Sequence, residues 1–104
     1  MKKRTLNQTW VLCLRMWRSI AKEWREGTDV FILKVEWIRK NGFRPHEVGG
    51  NCFFCDYTES CSTCPGKLVD DSFHCESPEY HYERNPIAFY AELLRLNRIR
   101  KEKK

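Results

Sequence analysis

Apolar residues recur along the first quarter of the chain with the rhythm of one buried helical stripe. Trp10, Cys13, Leu14, Trp17, Ile20, Ala21 and Trp24 fall at spacings of three and four, while Arg15, Arg18, Lys22, Glu23 and Arg25 take the other side. Thr5 and Gln8 have the spacing of a capping box, so a helix is predicted over 5–26, with Gly27 as the left-handed residue that ends it. A second helix is predicted over 29–41, capped by Asp29 or Thr28 and closed by Gly42. Its apolar face would be Val30, Phe31, Leu33, Trp37 and Ile38, with Lys34 as one polar interruption. The segment VFILKVEW also suits a strand, because it is β-branched and aromatic; the caps on both sides favour helix. The short break at Gly27-Thr28 folds the two helices into an antiparallel hairpin over 5–42.

From 43 to 84 the periodicity stops, and Pro, Gly, Ser, Asp and Asn recur without a continuous apolar pattern. It returns at Asn85-Pro86, a good cap followed by a residue suited to the first helical turn. A C-terminal helix is predicted over 85–100, using Ile87, Tyr90, Leu93, Leu94 and Leu96 to pack on the hairpin, with 101–104 left as a basic tail. The expected fold is therefore mainly α in a single domain: helical hairpin, irregular loop module, and returning helix. A chain of 104 residues is one domain by length, and 41% hydrophobic with 13% aromatic residues is enough for a small core.

So long an irregular segment needs something other than a core to order it. The cysteines supply a reason. They read Cys52-x2-Cys55-x5-Cys61-x2-Cys64-Pro65, then Cys75 after ten further residues, while Cys13 stands apart in the first helix. The basic start MKKR resembles that of an export signal, but Arg15 and Arg18 break the apolar stretch that follows. Without such a signal, clustered cysteines are expected to bind metal rather than pair as disulfides, and the chain is expected to be cytoplasmic. Two C-x2-C pairs turn thiolates toward one ion, and zinc takes four such ligands. Cys52, Cys55, Cys64 and Cys75 form the favoured set, with Cys61 as the alternative to Cys75. His74 adjoins Cys75 and is expected at the surface or behind the ligands. An iron–sulfur cluster is the alternative cofactor, since it also takes four cysteines and occurs with Cys-Pro.

The string NCFFCDYTESCSTCPGKLVDDSFHCESPEYHY resembles a segment of small cysteine-rich proteins of tailed phages and prophages. Their pattern is C-x2-C, a variable gap, C-x2-C-P, and a later Cys followed by Ser/Thr-Pro and Tyr. The matching positions are Cys52, Cys55, Cys61, Cys64, Pro65, Cys75, Ser77, Pro78 and Tyr80; Glu79 separates Pro78 from Tyr80, which adjoin in many relatives. The resemblance covers about a third of the chain and implies a phage-encoded accessory protein, cytoplasmic in the host cell. It supplies no activity.

Charge changes the picture once more. The total is +5, yet residues 45–85 hold eight acids against Lys67 and Arg84, a local balance of −6 that leaves +11 for the rest. Four thiolates around one zinc ion would add about −2 to the acidic part. Phosphate should avoid that module. A protein partner with complementary patches suits this dipolar layout, which points to an accessory protein that binds, and can inhibit, a host or phage macromolecule. The candidate contacts are Arg15, Arg18, Lys22 and Arg25 on the helices and Tyr57 and Tyr80 in the module. Phe53, Phe54 and Tyr82 are either further anchors or a small core over the cysteine loops. The alternative is a nucleic-acid-binding protein acting through its basic helices and tail. An enzyme is not expected, nor a small-molecule substrate. Gly49-Gly50 lacks the residues of a phosphate loop, there is no H-E-x-x-H, and five cysteines favour a closed metal site. No run of about 20 apolar residues is present to span a membrane.

Overall fold

The computed structural model describes residues 5–44, 53–57 and 63–102. They form five helices, α1 Leu6–Glu23, α2 Val30–Lys40, α3 Phe53–Tyr57, α4 Pro65–Val69 and α5 Pro86–Glu102, and no strand among the described residues. α1 is the central element. It packs against α2, α3 and α5, while α4 bridges α3 and α5. The architecture is mainly helical, an N-terminal hairpin-like pair with the C-terminal helix packed on it, as the hydrophobic pattern predicts.

The capping box at Thr5 is present in both directions: Gln8 N–H donates to Thr5 Oγ1 at 3.1 Å, and Thr5 N–H donates to Gln8 Oε1 at 2.9 Å. The buried face of α1 is Thr9, Trp10, Cys13, Met16, Trp17 and Ile20. This arc is rotated from the predicted stripe, and Leu14, Ala21 and Trp24 are half-buried. A helix covered by three neighbours buries more than one line of residues, so Met16 and Thr9 go in as well. α1 also stops at Glu23, three residues short of the predicted end. The Arg25 guanidinium turns back to donate to the carbonyls of Lys22 and Trp24, satisfying the orphan acceptors of the last turn. Gly27 (φ +92°) serves the following turn, where Thr28 N–H meets the Arg25 carbonyl at 2.8 Å.

Asp29 caps α2 by accepting from Phe31 N–H at 2.9 Å. The buried line is Val30, Lys34 and Ile38, and Phe31 is 55% exposed, contrary to its predicted place in the core. Lys34 is 7% exposed, with its ammonium 5.0 Å from the Tyr82 ring centroid and 5.8 Å from that of Trp17. A lysine buries its methylene stem readily when an aromatic face receives the charge.

The end of α2 aims the chain at the cysteine module. Phe43 N–H donates to the Ile38 carbonyl and Gly42 N–H to the Arg39 carbonyl, the paired bonds of a Schellman motif, with Gly42 at φ +86°. Phe43 then meets Phe53 edge-on, centroids 5.6 Å apart. An alanine at 42 would meet nothing but would have to hold a positive φ. Gly42→Ala is expected to cost about 1 kcal/mol of stability in chemical denaturation.

Asn85 caps α5, its Oδ1 accepting from Ala88 N–H at 3.2 Å. The buried line is Pro86, Phe89, Leu93 and Leu96. Leu93 and Leu96 were expected there; Ile87 (51% exposed) and Leu94 (40%) were too, and they face outward. Phe89 sets the register by lying 4.7 Å from Trp17, which places a neighbour such as Ile87 off the contact line. The helix continues to Glu102, beyond the predicted end at 100, so the supposed tail begins helical.

Candidate functional site

The segment 43–84 is less irregular than its sequence pattern suggests, because two short helices interrupt it. Five residues are too few to show a period, which is why neither is visible in the sequence. α3 begins with the two residues between Cys52 and Cys55. Both Phe53 and Phe54 are buried in the main core: Phe54 meets Trp10 edge-on at 4.8 Å, and Phe53 meets Trp37 at 5.9 Å. They fix α3, which carries Cys55, to the long helices. They are not exposed anchors for a partner.

Cys64 caps α4, with Pro65 at its first position and Gly66 buried next to it. A side chain at 66 has no room, since a Cβ there would lie 2.6 Å from Cδ2 and Cε2 of Phe73. The Phe73 ring is held in turn by a parallel stack on Tyr80 (5.9 Å, 12°) and by contacts with Phe54 and Phe89. Tyr80 and Tyr82 thus belong to the aromatic core, Tyr80 stacking there and Tyr82 lying edge-on to Trp17. Tyr57 is half-buried. Beyond Phe73 the chain turns twice, with Ser77 N–H bonded to the His74 carbonyl and Tyr80 N–H to that of Ser77. Tyr82 N–H then donates to the Cys75 carbonyl at 3.0 Å and closes the loop. His74 is exposed, and its Nδ1 accepts from Glu76 N–H at 3.1 Å.

Of the five candidate ligands, Cys64 and Cys75 are half-buried against the aromatic core. Cys55 is carried by α3, which packs on α4, the helix that Cys64 caps, so one cysteine of each C-x2-C motif stands on or beside neighbouring helices. Cys52 and Cys61 lie outside the described residues, as does His46. Among the described residues no three His, Cys, Asp or Glu side chains gather as metal ligands. The donor chemistry fits zinc all the same: the sequence offers thiolates at C-x2-C spacing, and Cys64 and Cys75 pack against the core.

α4 is tied to α5 by charge. Arg95 donates to Asp70 at 3.0 Å and to both oxygens of Glu92, the shorter contact being 2.6 Å. Asp70 also accepts from the Ser72 N–H and hydroxyl, and these bonds, with Arg95 beside them, lower its pKa from 3.8 to about 2. A carboxylate with a depressed folded pKa stabilises the fold above its ordinary pKa and loses that contribution as the pH falls through the folded value. The α4–α5 link should therefore weaken between about pH 4 and pH 2. Melting curves across that window should show a smaller acid-induced drop for Asp70→Asn than for the native chain.

The predicted basic contacts Arg15, Arg18, Lys22 and Arg25 are all exposed, although Arg25 is committed to the end of α1. The sequence pattern does not show a cleft that the fold creates between the start of α1 and the end of α5. It is lined by Asn7, Val11, Leu14 and Arg15 from α1 and by Asn97, Arg100 and Lys101 from α5. The Arg100 guanidinium lies 4.9 Å from the Trp10 ring centroid. It donates to Asn97 Oδ1 at 2.8 and 3.3 Å and to Asn7 Oδ1 at 3.4 Å. Finding this site requires the antiparallel pairing of segments some 90 residues apart, which only the fold supplies.

The class of molecule is thus defined: a helical protein whose cysteine-rich insertion shares one aromatic core with its helices. Compared with family models, curated proteins and solved structures, the chain matches none. No helix among the described residues is long and apolar enough to cross a membrane.

Proposed function

We propose that this chain is a zinc-stabilised accessory protein of the tailed-phage type that acts by binding a host or phage macromolecule rather than by catalysis. One observation supports the metal assignment: Cys55, from the first pair, lies on α3 and Cys64, from the second, caps α4, two short helices in mutual contact beside the buried rings of Phe53, Phe54 and Phe73. Cys52, Cys55, Cys64 and Cys75 would hold the ion, with Cys61 in place of Cys75 as the second arrangement. Zinc bound in this way supplies cross-linking of the loops and no open coordination position. Iron–sulfur ligation is the competing cofactor and would make the purified protein brown.

The binding role rests on the division of charge between an acidic module and basic helices. A protein partner with the opposite layout suits that division. The cleft at Arg100 favours a second class of partner, nucleic acid.

Metal content of single variants tests the assignment. Cys64→Ser and Cys75→Ser should each lose zinc by elemental analysis, while Cys13→Ala, in the core of α1, should keep it. Full zinc occupancy in both serine variants would remove Cys64 and Cys75 from the ligand set.

A further inference from the structure

We infer that the cleft between α1 and α5 is a phosphate-backbone site for nucleic acid, centred on Arg100 and completed by Arg15 and Lys101. The inference builds on the binding role proposed above and names the partner; it does not depend on the metal.

Two of the three arginines on α5 have opposite fates. Arg95 is neutralised by Asp70 and Glu92. Arg100 has no carboxylate partner among the described residues, and its hydrogen bonds go to the neutral carboxamides of Asn97 and Asn7. It is partly withdrawn from water against Trp10, and this burial lowers its pKa, so the cation is held at a cost that an incoming anion would offset. A guanidinium stacked on a ring and clamped by amides has also lost its freedom in advance, so little ordering remains for binding to pay. Arg15 and Lys101 stand on the two walls of the same cleft, both exposed, and no acidic residue is among the described residues that line it.

The same geometry limits what can be read. Trp10 is fully buried under Arg100, and the described residues that line the cleft include no aromatic side chain for a base to stack on. The site is built to take phosphates and is expected to be indifferent to sequence. The net negative segment 45–85 belongs to the cysteine module, so a bound strand would be steered toward the basic helices.

Fluorescence anisotropy with the full-length protein and a short mixed-sequence DNA duplex tests this, with the single strand and the equivalent RNA run beside it. Each phosphate contact contributes about 0.9 to the slope of log affinity against log salt, or roughly eightfold in affinity at about 0.1 M salt. Arg15→Gln with Lys101→Gln should therefore weaken binding roughly fifty-fold and reduce the slope by about 1.8. Arg39→Gln with Lys40→Gln removes the same charge from exposed positions on α2, outside the cleft, and should change affinity by less than about threefold because such charges are screened. Zinc content and melting temperature, measured on each variant, should match the native chain. Equal losses from the two pairs would overturn the site, as would no binding to any of the nucleic acids at low salt. Polyglutamate binding as tightly, with the same dependence on Arg15 and Lys101, would assign the cleft to an acidic protein instead. Because zinc content is read separately, failure here leaves the metal assignment standing, and loss of zinc without loss of binding does the reverse.

Discussion

Stripping zinc with a chelator should collapse the cysteine module and strongly destabilise the helices with it. Structural zinc sites in small peptides contribute on the order of 10–16 kcal/mol at neutral pH, comparable with the whole stability of a domain. The described part of the module has little regular structure to fall back on: α3 and α4 are five residues each, far below the length at which a helix is stable alone. It also shares its aromatic rings with the helices. Phe53, Phe54 and Phe73 would leave Trp10, Trp37 and Phe89 uncovered when the loops come apart. Near-ultraviolet circular dichroism should therefore lose its aromatic signal on chelation, with part of the far-ultraviolet helix signal retained by α1 and α5, and both should return with added zinc. Unchanged spectra and melting temperature in the metal-free chain would show that the core orders the loops unaided.

Phe73 and Gly66 give the second large effect. Truncating Phe73 to alanine removes a ring that is 1% exposed and touches Gly66, Phe54, Tyr80 and Phe89, and should cost about 3–5 kcal/mol. Gly66→Ala places a methyl 2.6 Å from a ring that Tyr80 and Phe89 prevent from backing away, and should cost about 1–3 kcal/mol. The two effects should not add. Once the ring is gone the new methyl has space, and alanine is the better helix residue by about 0.5–1 kcal/mol, so Gly66→Ala should turn neutral or stabilising in the Phe73→Ala background. Denaturation of the two single variants and the double variant closes the cycle. Simple additivity would mean that Gly66 is constrained by something other than Phe73.

Local chemistry made the long helices legible. Thr5 with Gln8, Asp29, Gly42 and Asn85 act as the caps their residue types suggest, because a cap is decided within a few residues. What local chemistry does not decide is which side of a helix meets its neighbour. Ile87 and Leu94 are as apolar as Leu93, yet they lie outside because Phe89 docks on Trp17 and sets the rotation of α5. Phe31 fails for the same reason, and Lys34 takes a place in the core through the rings of Trp17 and Tyr82. In the cysteine module, the spacing of the thiols is visible in the sequence. The burial of the residues between them is not, because two adjacent phenylalanines carry no period. Tyr80 follows suit: its stack on Phe73 depends on a turn at 74–80 that brings the two rings together. The α1–α5 cleft, which joins Asn7 to Arg100, lies furthest from anything a local pattern could reveal.

The central claim is that the cysteines hold one structural zinc ion, and elemental analysis of the purified, reduced chain tests it most directly. About one zinc per chain, lost in Cys64→Ser and kept in Cys13→Ala, is the expected result. A folded chain that contains no metal and has its cysteines paired as disulfides, or a brown one that contains iron, would contradict it.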